Sequence, residues 1–536
     1  MKGWATALPP KFATYFTFSE LNNGVAAPPD QFRTELSKFN GILVVYVCGV
    51  MNSLIMDWQG HARLDAVEFF VRNSFIPEAA QRIVAALNSP LEPRGVYHRQ
   101  QLLFVAKEAL SVCPEVGGND PLVAAHSGAM ARVLLMANDL LPKRVTSPAP
   151  TADQMMNVMS EFIPIGEASG FQNPIHKILR TRLMFDRFLP QEGKYRSTFA
   201  TITGVPLEDY FALCFATLCR YVDLDLKKYQ SDPSSFILAP GWYGTTPIDA
   251  AVIGRFLKEL SAPFDEFKAV LGRRACAPND FTCFRGKPYL KDDANHLLVD
   301  PVFLAEKGES GIFWAINHAL NRDQRLQFHR DWGTAFERYV NWLMDGSVDG
   351  RMNRLHKNPK FWDNGEEVCD AILLCDDSVV FMESKGATFT AEAKYGADPA
   401  KLRNEIQEKF VEAEGRRKGI GQLAARIEQV FNRKSPRAIE GIDISRVRKV
   451  YPVLITRDDI GSALVINAYL ASKFREAFHR KARLGYGYSS VFAFRPRHRD
   501  ALWLSTKHQS RRSIRRTIPR RPSPSFEFLV GGQSPA

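Results

Sequence analysis

Residues 369–386 read Cys369-Asp370-Ala371-Ile372-Leu373-Leu374-Cys375-Asp376-Asp377-Ser378-Val379-Val380-Phe381-Met382-Glu383-Ser384-Lys385-Gly386. Two runs of apolar and β-branched residues flank a short polar turn, which is the pattern of a β-hairpin. With Asp376 and Asp377 as a two-residue loop, Cys375 faces Ser378 and Asp370 falls opposite Glu383. Lys385 comes two residues later and projects from the same face as Glu383, because side chains alternate along a strand. Like charges directly opposite each other destabilise a ladder. A divalent cation between them removes the conflict, and carboxylate oxygens suit Mg²⁺ or Mn²⁺.

The flanking sequence supplies further elements. Upstream, Phe336, Val340, Leu343 and Met344 follow helical spacing. Glu337 falls at the edge of that apolar stripe, where a carboxylate needs a partner or a metal. Downstream, Ile420, Leu423, Ile427, Val430 and Phe431 form one face of a helix, with Gln422 and Arg426 together on a neighbouring face and the basic run Arg416-Arg417-Lys418 at its start. The run Val450–Thr456 reads as another strand.

The spacing Asp370…Glu383-x-Lys385 resembles the PD-(D/E)xK, or restriction-endonuclease-like, nuclease superfamily. Cys369 stands where that motif has its nominal proline, which carries no chemistry. The stretch Gly333-Thr334-Ala335-Phe336-Glu337 looks like the acidic helix that precedes the catalytic hairpin in the superfamily. Gln422 is similar to the helical glutamine of RecB-like nucleases, although Arg426 replaces the tyrosine of that branch. The resemblance covers roughly residues 325–460. It implies a central mixed β-sheet flanked by helices. It assigns metal binding to Asp370 and Glu383, with Glu337 completing the shell, and water activation to Lys385. Gln422 becomes a further catalytic candidate. Arg416, Arg417, Lys418 and Arg426 become candidates for phosphate contacts.

Composition fits that expectation. The 536-residue chain carries a net charge of +12. Residues 311–536 hold 39 of its 70 Lys and Arg and 26 of its 58 Asp and Glu, a net +13 against −1 for the remainder. Basic charge attracts phosphates without sequence specificity. The eight cysteines form no C-x-x-C pair, so reduced thiols in a cytoplasmic protein are expected. Gly41–Met51 is apolar but too short to span a membrane, and reads as a buried core element. No Walker A loop, G-x-G-x-x-G or H-E-x-x-H is present.

The expected organisation is multidomain. Residues 1–310 form a mostly helical region, with a loop or linker at 142–152. Its helices are expected at Leu64–Val71, Ala79–Leu87, Gln100–Val112, Pro121–Leu141, Pro174–Phe188, Leu207–Val222 and Pro247–Leu271. Short strands are expected near Lys287–Leu290 and Leu297–Asp300. Gly311–Leu320 reads as one more helix, leading into an α/β nuclease-like domain at 311–505. A basic, proline-containing tail follows at 506–536. The functional expectation is a Mg²⁺- or Mn²⁺-dependent endonuclease acting on nucleic acid, DNA by preference, with a role in restriction or phage defence. The alternative is a nucleic-acid-binding or interaction protein that uses a nuclease-like scaffold without catalysis. A homodimer, and a protein partner held by the helical region, both stay open; no membrane partner is expected.

Overall fold

The computed structural model describes residues 14–55, 63–89, 94–141, 156–157, 159–160, 163, 174–190, 193–272, 277–346, 353–432, 434–458, 464–479, 487–488 and 492–494. The expected linker at 142–152 and the tail at 506–536 lie outside these residues. The first part is helical, as its periodicity predicts. Helix α1, Gly41–Leu54, is apolar on every side and almost wholly buried, which is how an all-round hydrophobic helix must sit. It packs on helix α2, Arg99–Val112. No single helix among the described residues is long and apolar enough to cross a membrane.

The helix expected over Pro247–Leu271 is broken. Ala250–Leu260 and Phe264–Gly272 are helical, while Ser261–Pro263 runs extended and pairs in parallel with Tyr289–Lys291. Pro263 has no N–H to donate and disfavours the helical conformation at Ala262, so the helix ends before it. The two short strands fall at Tyr289–Asp292 and Asn295–Leu298, each two residues from its expected place, and with Ile237–Leu238 and Ser261–Pro263 they make a four-stranded sheet within the helical region.

The second part is built on a six-stranded mixed sheet. Helix α3, Ile312–Ala319, leads into the long helix α4, Arg322–Asp345. Strands β1 (Asn353–Lys357), β2 (Ala371–Cys375) and β3 (Ser378–Lys385) pair antiparallel in sequence order. The chain then crosses through helix α5, Gly419–Val430, and returns as β4 (Lys449–Thr456), parallel to β3. After helix α6, Leu464–His479, short strands β5 (Gly487–Tyr488) and β6 (Phe492–Phe494) pair with β4. Strand β1 has no counterpart in the sequence reading. It is an edge strand of mostly polar residues with one central leucine, and edges carry charge to block further pairing.

Both faces of this sheet are covered. Ala371, Leu373, Met382, Val453 and Ile455 join one core that runs continuously into α4 and the helical region. Ile372, Val379, Phe381, Val450 and Leu454 join a second core with Ile420, Leu423 and Ile427 of α5 and with Leu470 and Phe474 of α6. This strict alternation assigns every position along β2, β3 and β4 to one face or the other.

Helix α4 crosses the end of β3 at a close glycine contact. A Cβ on Gly386 meets the Gly333 Cα and the Phe336 Cβ, each at 3.2 Å, whereas a Cβ on Gly333 meets nothing within 4 Å. Gly386→Val is therefore expected to cost about 1–3 kcal/mol through overpacking. Gly333→Ala, inside a helix, is expected to stabilise by up to about 1 kcal/mol. Urea unfolding of the two variants measures both signs.

Candidate active site

The hairpin turn is the two-residue loop its sequence predicts. Cys375 pairs with Ser378, and Asp376 takes a positive φ of 48°, a conformation aspartate tolerates. Ala371 pairs with Met382, so one further step of the register brings Asp370 opposite Glu383. The Ser384 N–H donates to Asp370 Oδ2 at 2.5 Å. Glu383 is 6% exposed, and Lys385 Nζ donates to its Oε1 at 2.7 Å. The Gly386 contact sets α4 beside this strand end, and Glu337 follows Phe336 on that helix.

A fourth carboxylate joins the three expected ones. Glu367 lies in the segment before β2, where it bridges to Lys360. Burial, and then the charge of Glu383, push the Glu367 carboxyl above its ordinary range. Burial, Glu367 and Glu383 do the same to Glu337. Asp370 is pushed up to about 8, first by burial and then by Glu383. Lys385 opposes the rise at Glu337, Glu367 and Asp370. Lys385 is the cation common to all three, while Arg338 also acts on Glu337, and Lys360 and Arg426 act on Glu367. The sequence reading missed Glu367; the acidic doublet Glu366-Glu367 just upstream of Asp370 is the only signal for it, and loop residues carry no periodicity to place them.

The remaining candidates have other partners or lie on the surface. Gln422 Oε1 accepts from the Gly419 N–H at 2.9 Å, so the side chain secures the first turn of its own helix. Arg426 pairs with Glu366, and its guanidinium lies 5.6 Å from the Phe361 ring centre. Arg437 stacks on the same ring at 3.7 Å and holds Asp363. The two arginines thereby clamp the loop that delivers Glu367. Arg416 and Arg417 are exposed and sit on a two-residue strand paired with Glu412 and Ala413, ahead of the helix they were expected to begin. Lys418 is the last residue before that helix. Cys369 is buried, and burial raises its thiol well above the usual range, so it is an inert packing group.

Hard oxygen donors with surplus negative charge suit Mg²⁺ or Mn²⁺. Among the described residues, however, no three His, Cys, Asp or Glu side chains are arranged to hold an ion. Ligation therefore requires these side chains to draw together, with Glu383 released from Lys385. No protein-family model matches the chain, and no curated protein or solved structure matches it.

The raised Asp370 carboxyl fixes a sign. Its folded value lies above the ordinary 3.8, so the native state keeps a proton that the unfolded chain has lost. The contribution of Asp370 to metal-free stability therefore falls as pH rises from about 4 to about 8. Asp370→Asn removes this penalty. Thermal melting in EDTA is expected to show a flatter pH profile for the variant and a midpoint above wild type near pH 8, by roughly 1 °C per kcal/mol relieved.

Proposed function

We propose that this protein is a divalent-metal-dependent nuclease whose site is Asp370, Glu383 and Lys385, with Glu337 and Glu367 beside them. The observation that carries the reading is the pairing of Asp370 with Glu383 across one hairpin, with Lys385 on the same strand, in a sheet whose main elements run α4-β1-β2-β3-α5-β4, with short helices at Ala391–Tyr395 and Pro399–Ile406 and a small hairpin between β3 and α5. That order, with its parallel β3–β4 pair, is compatible with the restriction-endonuclease-like fold that the motif suggests. The net +13 of residues 311–536 favours a polyanionic substrate, and DNA is the proposed one.

Asp370 and Glu383 would hold the cation, with Glu337 or Glu367 as the third carboxylate. When bound, the cation acidifies an attacking water and neutralises charge on the scissile phosphate. The Lys385 ammonium, freed from Glu383, is placed to orient that water and to stabilise the extra charge that develops on the phosphate oxygens. Arg426 and Arg437 act at one remove, by holding the loop of Glu367. A second reading, a nucleic-acid-binding scaffold without catalysis, is favoured by one observation: the carboxylates do not converge and Lys385 is tied to Glu383.

Cleavage of supercoiled plasmid, linear DNA and RNA in Mg²⁺, Mn²⁺ or EDTA separates the two. Metal-dependent cutting is expected, with Glu383→Ala and Lys385→Ala each lowering it by about 100-fold or more. Glu367→Gln is expected to lower it by about 10–100-fold, as outer ligands do. DNA binding without cutting in any metal supports the scaffold reading. Cutting that survives Glu383→Ala and Lys385→Ala rejects this site.

A further inference from the structure

A cavity of about 540 Å³ lies between the helical region and the loops that follow β3 and β4. It is separate from the carboxylate cluster. Arg457, in its wall, follows the alternation of Val453 and Ile455 and belongs to the helical side of the sheet. Glu383 and Lys385 follow Val379 and Phe381 on the opposite side.

The charges around this cavity pair off with one left over. Lys307 Nζ lies 2.9 Å from Glu259, and Lys394 Nζ lies 2.8 Å from Asp458. Glu306 takes both Arg285 and, at 3.8 Å, Lys177. Glu309 is held by Arg180 from behind the wall. Every carboxylate of the wall is then engaged. Arg457 is 4% exposed and has no hydrogen-bond or ion-pair partner for its guanidinium among the described residues. It rests on two rings instead, 4.8 Å from the Trp332 centre and 5.1 Å from the Phe313 centre. Burial and the nearby Arg180 push it down to about 9, against the opposing charge of Asp458, which Lys394 already holds. An isolated buried charge is costly unless something pairs it.

We propose that the cavity binds a small organic phosphate of nucleotide size, with Arg457 as the phosphate anchor. The planar guanidinium fork matches phosphate oxygens two at a time. The lysines already present around the wall can share the second negative charge of a phosphate monoester. The volume lies in the range of small-molecule sites, about 300–1,000 Å³, and exceeds what a bare phosphate fills. Trp314, His318, Phe389 and Tyr395 supply ring surface for the organic part. The site stands whether or not the carboxylate cluster is catalytic.

Calorimetric titration of the full chain in EDTA tests this, using the ribonucleoside 5′-monophosphates, the free nucleosides and inorganic phosphate as probes. At least one nucleotide is expected to bind about tenfold or more tightly than inorganic phosphate or its own nucleoside. Arg457→Gln is expected to weaken that binding by at least about tenfold, the scale of a hydrogen bond to a charged group. Trp314→Ala, on the half-exposed wall, is expected to erase the preference for nucleotide over phosphate; it remains informative if Arg457→Gln fails to fold. Absence of binding by every nucleotide overturns the proposal. So does nucleotide binding that is unchanged in a natively melting Arg457→Gln, or equal affinity for nucleotide and inorganic phosphate.

Discussion

A sheet buried on both faces leaves its charged side chains one place to stand, the strand ends. Strands β2, β3 and β4 place Ala371, Leu373, Met382, Val453 and Ile455 in one core, and Ile372, Val379, Phe381 and Leu454 in the other. A charge in mid-strand on either face would be desolvated without compensation. Asp370, Glu383 and Lys385 accordingly cluster where the apolar runs finish, and Arg457 follows directly after β4. The rest of the molecule is arranged around that limit. Helix α4 covers one face, helices α5 and α6 cover the other, and the loops that bring Glu367 and the cavity wall close over the ends.

The two strand ends carry opposite imbalances. At the end of β3, burial raises the carboxyls of Glu337, Glu367 and Asp370 around Glu383 and Lys385. After β4, a guanidinium outlasts the supply of carboxylates and settles on aromatic rings. Each imbalance weakens the isolated chain, and a partner of opposite charge would relieve it. Binding sites are built in this way, because the relief enters the binding free energy. Parallel pairing of β3 with β4 keeps the two systems near each other, since Thr456 pairs with Lys385 and the Arg457 N–H donates to the Lys385 carbonyl.

Local pattern determined a good deal. The hairpin register follows from a two-residue turn and a period of two, so Asp370 opposite Glu383 was legible in the chain. Helices such as Leu207–Val222 were legible from their apolar spacing, and α1 from its unbroken hydrophobicity. The break at Pro263 was open to the same reasoning, yet the apolar periodicity running on both sides of it masked the stop. Edge strand β1 was not legible, because a mostly polar edge carries no alternation to detect.

Tertiary structure alone decided the rest, and the reason is range. Periodicity and turn chemistry act over a few residues, whereas charge balance depends on which distant segments fold together. The segment 361–367 closes on itself through the Phe361 N–H to the Glu366 carbonyl, but Arg426 and Arg437, some 60 to 74 residues away, grip it through Glu366 and Asp363. Gln422 was a candidate through the resemblance, and only the fold shows that its oxygen accepts from the backbone N–H of Gly419. Arg457 reads in the sequence as one basic residue among seventy. Only the folded chain shows that, among the described residues, every carboxylate of the cavity wall is already engaged by another cation.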